Sequence, residues 1–147
     1  MSQAREFAAL HARAFAAEEA WPEAAFADLL DLPTTEFAQI KDGDQVVSFI
    51  LVQFAAGEAD ILTLATAPEL RRQGYAQRLL TEIETRLRPR GLQKWLLDVA
   101  ADNIGARGFY EALGFQCDGR RKDYYKRLEG GRVDAMLMSK LVGGQAP

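Results

Sequence analysis

Two residue types are almost missing. The chain of 147 residues holds one cysteine, Cys117, and one histidine, His11. A single cysteine excludes an internal disulfide and a cysteine-based zinc site, and a single histidine excludes a histidine-rich metal site. No metal is therefore expected. Cys117 reads as a small buried hydrophobe. His11 lies on a helix beside its apolar face, and no function is assigned to it. No apolar run approaches the ~20 residues needed to cross a bilayer. The N-terminus lacks the basic-then-apolar pattern of a secretory signal. A cytoplasmic protein without a membrane partner is expected. Nor is there an excess of positive charge. Eighteen Lys and Arg face 21 Asp and Glu, a net charge of −3, which argues against a dedicated nucleic-acid binder. The basic residues do cluster, over 71–90 and 120–127, so a local anion site is compatible with the composition.

What is present is enough for one domain over 1–147. With 48% hydrophobic residues, a chain of this length buries a full core. Arg5–Phe15 has helical spacing, with Phe7, Leu10 and Ala14 on one face. Pro22 suits the start of a second helix, Glu23–Leu30. Glu36–Ile40, Gln45–Phe54 and Asp60–Thr66 read as three strands, separated by turns at Lys41–Asp44 and Ala56–Glu58. They predict an antiparallel meander. A helix from Ala76 to about Arg88 follows, with Glu82 and Arg86 paired on its outer face. Then come a strand over Lys94–Ala100, a helix capped by Asp102 or Asn103 and running to Leu113, a long strand from Phe115 to Lys126, and a last strand from Val133 to Leu141. Gly105 and Gly108 each cost their helix about 1 kcal/mol, which predicts the close approach of another group. Residues from Gly143 onward read as a frayed tail.

The segment that organises the chain is Leu64–Leu80. An apolar strand ends at Thr66, Pro68 closes it, and Arg71-Arg72-Gln73-Gly74-Tyr75-Ala76 forms a basic turn directly before a helix. Backbone N–H groups at a helix start, a flexible glycine and two arginines converge there, which is suited to a diphosphate.

The run P-x-x-R-R-x-G-x-A resembles the pyrophosphate loop, Q/R-x-x-G-x-G/A, of the GNAT superfamily of N-acetyltransferases. Arg71, Gly74 and Ala76 fill that pattern. Four further segments resemble the bacterial ribosomal-protein-alanine N-acetyltransferases, the RimI type. They are Trp21-Pro22-Glu23 with Phe26; Leu97-Asp98-Val99 with Asn103 and Tyr110-Glu111-x-Leu113-Gly114-Phe115; Arg120-Arg121-x-x-Tyr124-Tyr125; and Val133–Met138. The resemblance implies an α/β fold with a mixed, mostly antiparallel central sheet flanked by helices. Members usually begin with a strand. Here only Met1–Ala4 precede the first helix, so that strand is expected to be short or missing and its sheet edge unprotected.

The resemblance also implies a chemistry: acetyl transfer from acetyl-CoA to the N-terminal α-amine of a protein or peptide. Leu64, Ala65 and Thr66 correspond to a splayed strand that lends backbone groups to the pantetheine and thioester. Arg71, Arg72, Gln73, Gly74, Tyr75 and Ala76 correspond to the pyrophosphate loop, Asn103 to a pantetheine contact, and Tyr110 to the acid that protonates the leaving thiolate. Tyr124 and Tyr125 are expected to border the acceptor groove. At the family's catalytic glutamate this chain has Asp98, whose carboxylate falls about 1.5 Å short, a gap that a water bridges. An α-amine with a pKa near 7.7–8.0 is already neutral about one time in ten at pH 7, against about one in 2,500 for lysine, so a weak base suffices. Glu58 and Asp60 are the next candidate bases. Each assignment has a plainer counterpart: Tyr110 as core, Asn103 as helix cap, Asp98 as a structural carboxylate, the two tyrosines as exposed strand residues. At the level of the whole chain, a small-molecule acetyltransferase and a non-catalytic acyl-CoA-binding module stay open beside the protein acetyltransferase.

Overall fold

A computed structural model describes residues 2–143; residues 144–147 of the expected tail lie outside it. The elements run α1 (Gln3–Ala14), α2 (Glu23–Leu30), β1 (Thr35–Asp42), β2 (Gln45–Ala55), β3 (Glu58–Thr66), α3 (Tyr75–Leu87), β4 (Lys94–Ala100), α4 (Ile104–Ala112), β5 (Gln116–Lys126) and β6 (Arg132–Leu141). The expected elements all form, with boundaries displaced by a few residues at most. The helix α1 starts two residues early because the Ser2 hydroxyl accepts from the Arg5 N–H and caps it.

The six strands form one sheet in the order β1-β2-β3-β4-β6-β5. The meander β1-β2-β3 is antiparallel, β3 and β4 are parallel, and β4, β6 and β5 are antiparallel. Helices cover both faces. On one side Phe7 and Leu10 of α1 and Phe26 of α2 pack on Phe49, Leu51 and Ala65. On the other, Leu79, Ile83 and Leu87 of α3 and Tyr110 of α4 pack on Ile50, Val52, Ile61 and Leu97. Strand β2 faces both layers, which is why it reads as a nearly unbroken apolar run.

Two irregularities decide the shape of the sheet. In the β2–β3 pair, Leu51 faces Thr63 and Val52 faces Ile61, so Leu62 is an extra, bulged residue. The bulge exchanges the faces of β3. Ile61 packs toward α3, whereas Ala65 packs toward α1. The second irregularity is at the parallel pair, where β3 and β4 pair only from Glu58↔Lys94 to Ile61↔Leu97. Beyond that rung β3 stays with β2 and β4 stays with β6, and the middle of the sheet opens.

No strand precedes α1 among the described residues, as expected, and β1 is an edge. That edge is not bare: Arg86 of α3 donates to the Phe37 carbonyl (2.7 Å) and lies near Glu36, a charged cover of the kind that discourages pairing. Cys117 departs from its expected burial. It is exposed, because β5 is the other edge strand and nearly every residue along it faces solvent. Gly105 and Gly108 also depart from expectation, since a Cβ at either would meet nothing within 4 Å among the described residues.

Candidate active site

A cleft of about 460 Å³ lies where β3 and β4 part. It is lined by Leu64 of β3, Asp98 of β4, Asn103 and Tyr110 of α4, and Tyr124 and Tyr125 of β5. Sequence separations of up to 61 residues thus collapse into one cavity. The remaining predicted residues lie outside its lining. Ala65 and Thr66 continue the stretch of β3 that pairs with β2 but no longer with β4, with Thr66 Oγ1 2.8 Å from Ser48 Oγ. The basic loop follows from β3 and enters α3.

In that loop the left-handed backbone is concentrated at Arg72 (φ 64°) and Gly74 (φ 83°). Gly74 is the N-cap of α3, and no side chain caps the first-turn N–H groups. A Cβ at Gly74 would meet nothing within 4 Å, so the glycine is required by its backbone angle and leaves the N-terminus of the helix open. The Arg71 guanidinium donates to the Ala14 carbonyl (2.6 Å) at the end of α1, so its side chain braces the loop. Glu69 strengthens the brace with a two-pronged pair to Arg13 at 2.6 and 2.9 Å.

Tyr110 owes its position to the Leu113-Gly114-Phe115 run. Gly114 (φ 96°) ends α4 in the left-handed conformation. Its N–H donates to the Glu111 carbonyl and the Phe115 N–H to the Tyr110 carbonyl, both at 3.0 Å. This is a Schellman closure, and its usual apolar contact is the edge-to-face pair of Tyr110 and Phe115 rings at 5.2 Å. Tyr110 is 7% exposed. Burial raises its phenol pKa well above the ordinary range, so the hydroxyl keeps its proton at every physiological pH. Asn103 is the cap of α4, its Oδ1 accepting from the Ala106 N–H at 3.1 Å. The capping reading holds, and Asn103 borders the cleft as well.

Asp98 lies one residue beyond the last paired rung and is exposed. Asp60, on the neighbouring strand, has its carboxyl pKa raised, first by burial and then by the charge of Asp98, with Glu58 adding to this and Arg121 opposing it. Tyr124 and Tyr125 meet edge to face at 5.0 Å. Tyr124 is 47% exposed. The Tyr125 phenol is pushed up to about 12, by burial and then by Asp98 and other nearby groups.

Sequence reasoning left several contributors to the cleft without a role there. His11 lines the cleft from α1 together with Phe15, and Trp21 lines it from the following loop. Glu18 and Glu19 of the same loop meet the β5–β6 hairpin. Leu128 N–H donates to Glu18 Oε2 (2.9 Å), and Arg127 lies 3.9 Å from Glu19. Arg127 also grips Asp102 with two hydrogen bonds of 2.6 and 3.0 Å. A lone histidine on an apolar helix face and the Trp21-Pro22-Glu23 segment were the available signals. The charged latch had none, because its partners are 25 and 108 or more residues apart.

Residues 5–115 match the acetyltransferase (GNAT) family. The chain belongs to the GNAT acetyltransferase family. Its relatives include ribosomal protein bS18-alanine N-acetyltransferases. That of Haemophilus ducreyi is 34% identical over 96 residues, covering 65% of this chain and 66% of the relative. That of Escherichia coli is 32% identical over 119 residues, covering 81% and 79%. The crystal structure of the Escherichia coli ribosomal-protein-alanine N-acetyltransferase superposes with a TM-score of 0.85 at 27% identity, covering all of this chain and 96% of the other. The GNAT resemblance drawn from the loop and from the Asn103–Phe115 block therefore holds for family, fold and RimI-type kinship. This GNAT protein is an acetyl-CoA-dependent N-acetyltransferase. No helix among the described residues is long and apolar enough to cross a membrane.

Proposed function

We propose that this acetyltransferase acts on the N-terminal α-amine of a protein or peptide, a ribosomal protein being one candidate, and that Tyr110 and Asp98 carry the proton transfers. The observation that carries the reading is the shared cleft. Asp98 reaches it from β4, Tyr110 from α4 and the tyrosine pair from β5, around the opening between β3 and β4. A cytoplasmic location goes with this reading.

The residues present suit an acyl-CoA. The uncapped first turn of α3 offers N–H groups and a favourable dipole to a pyrophosphate. From Leu64 to Thr66, the side of β3 away from β2 has no strand partner among the described residues, so its backbone groups are available to an amide-bearing arm and to a thioester carbonyl. Asp98, through a water, accepts a proton from the acceptor ammonium. The neutral amine attacks the thioester carbon, a C–N bond forms, the C–S bond breaks, and the nitrogen sheds its second proton to solvent as the amide forms. Tyr110 holds a proton for the departing sulfur. Tyr124 and Tyr125 flank the acceptor. Titration calorimetry with acetyl-CoA tests the first half: heat at micromolar to millimolar cofactor is expected, and no heat with no thermal shift defeats it. CoA release across N-terminal peptides and amine metabolites tests the second. Turnover confined to metabolites would make this a small-molecule enzyme, and cofactor binding without any turnover a non-catalytic module.

A further inference from the structure

His11 is the chain's single histidine, and it is 1% exposed where α1 meets the cleft. Two hydrogen bonds fix its state. The Trp21 backbone N–H donates to Nδ1 (3.1 Å), so Nδ1 carries no proton. The neutral ring then carries its proton on Nε2, which lies 2.9 Å from Thr63 Oγ1 and donates to it. Phe15 stacks on the ring at 4.2 Å and Phe26 meets it edge-on at 5.4 Å, so the ring has no freedom to turn.

The consequence falls on Thr63. Its oxygen accepts from His11, and its own hydroxyl proton finds no acceptor among the described residues. Thr63 is 7% exposed and lines the cleft. It directly follows the bulged Leu62, two residues past the last β3–β4 rung, while Asp98 is one residue past that rung on the facing strand. A hydrogen-bond donor and a carboxylate therefore stand on the two lips of the opening.

We propose that Thr63 is an acceptor-binding residue, donating its hydroxyl proton to the first carbonyl of the incoming chain, and that His11 is a positioning residue that leaves Thr63 only that role. The proposal rests on the α-amine reading above and deepens it. An N-terminal residue carries an ammonium and, three bonds away, a carbonyl oxygen. Asp98 suits the first and Thr63 the second. A lysine side chain or a simple alkylamine offers the ammonium without the carbonyl. The pair thus selects α-aminoacyl groups over other primary amines, by leaving a buried donor unpaired when the carbonyl is absent.

The test is steady-state kinetics of the full chain with a short peptide amide bearing a free N-terminus and with a primary alkylamine of similar bulk. Thr63→Val keeps shape and removes the donor. It is expected to raise the peptide KM about ten-fold, the size of one lost hydrogen bond, while the acetyl-CoA KM stays unchanged and the alkylamine kcat/KM rises, because no buried donor is then left unpaired. Thr63→Ser restores the donor and should restore the peptide KM. His11→Gln retains an N–H toward Thr63 and should stay close to wild type. His11→Phe leaves the Thr63 hydroxyl in place but unanchored and should raise the peptide KM by less than Thr63→Val does, and adding it to Thr63→Val should raise that KM no further. Thermal melts establish that each variant folds; should His11→Phe not fold, the Val and Ser pair decides. A Thr63→Val enzyme with unchanged peptide KM, with a raised acetyl-CoA KM, or with equal losses on both amines overturns the proposal. A wild-type enzyme that turns over the alkylamine and no peptide instead defeats the α-amine reading itself.

Discussion

The Phe115 N–H donates to the Tyr110 carbonyl at 3.0 Å, and the two rings meet edge to face at 5.2 Å. The turn that ends α4 therefore also aims Tyr110. Because the ring is held by packing and only the hydroxyl is left to act, Tyr110→Phe should preserve the fold and acetyl-CoA affinity while lowering kcat by about 10²–10⁴-fold. Phe115→Ala should lower kcat as well, by loosening the aim, and cost about 3–5 kcal/mol of stability as a buried aromatic. Rapid-quench turnover beside calorimetric cofactor binding separates these effects. A Tyr110→Phe enzyme with full kcat would remove the phenol from the mechanism.

Asp98 is exposed and, in the proposed chemistry, would serve an amine that is already partly neutral, so its contribution should be small. Asp98→Asn is expected to cost about ten-fold at pH 7, and the loss should shrink as pH rises past about 8, where the free α-amine deprotonates by itself. Asp98→Glu should keep or raise activity. A pH profile that shows no effect of Asp98→Asn anywhere would pass the role to a water held elsewhere, with Asp60, whose carboxyl pKa is raised by burial and by the charge of Asp98, the next residue to replace.

Gly74 holds a φ of 83° in open space. Gly74→Ala pays only left-handed strain, about 1–2 kcal/mol, and should lower the melting temperature of the free protein by a few degrees. Gly74→Val places a branched side chain over the open N-terminus of α3 and should abolish measurable acetyl-CoA binding in calorimetry. Binding by the Val variant at wild-type affinity would move the pyrophosphate away from this loop.

His11 is neutral and buried, with its pKa lowered to about 4 by desolvation, against 6.5 when free. A folded-state pKa below the unfolded value means that the unfolded chain takes up the proton first. Stability is therefore full above about pH 6.5 and falls as pH drops toward 4, by about 3 kcal/mol in total. Denaturant melts of wild type and His11→Gln across that window should show the slope in the first and its absence in the second, superimposed on carboxylate titrations common to both.

The Arg127–Asp102 pair joins the β5–β6 hairpin to the loop before α4. Arg127 is the cause of the depressed Asp102 pKa, so the latch is present at neutral pH and weakens only as pH falls through that depressed value. Removing it with Arg127→Ala should speed amide exchange at 127–131 by about ten-fold, in keeping with a charge-assisted hydrogen-bond pair, and raise the acceptor KM with little change in acetyl-CoA affinity. Unaltered exchange in the hairpin would show that the latch carries no weight.

The sequence by itself determined the elements and much of the chemistry. Period and turn signals set the helices and strands because they are local: Pro22 before α2, the apolar run of β2, the glycine that ends α4. The Arg71–Ala76 loop and the Asn103–Phe115 block were legible because their functional groups are backbone or lie within one helix, so spacing alone carries them. Tertiary structure decided the rest. The bulge at Leu62 and the loss of β3–β4 pairing after Ile61 depend on how three strands register, which no window of sequence encodes. The hydrogen bond of Arg71 to the end of α1, at 2.6 Å, was likewise hidden, because its partner lies 57 residues away. Cys117 could be read as buried until β5 took the sheet edge. His11 gained a role only when Trp21 and Thr63 met its two nitrogens, since a side chain's protonation and direction are set by neighbours that folding brings from 10 and 52 residues away.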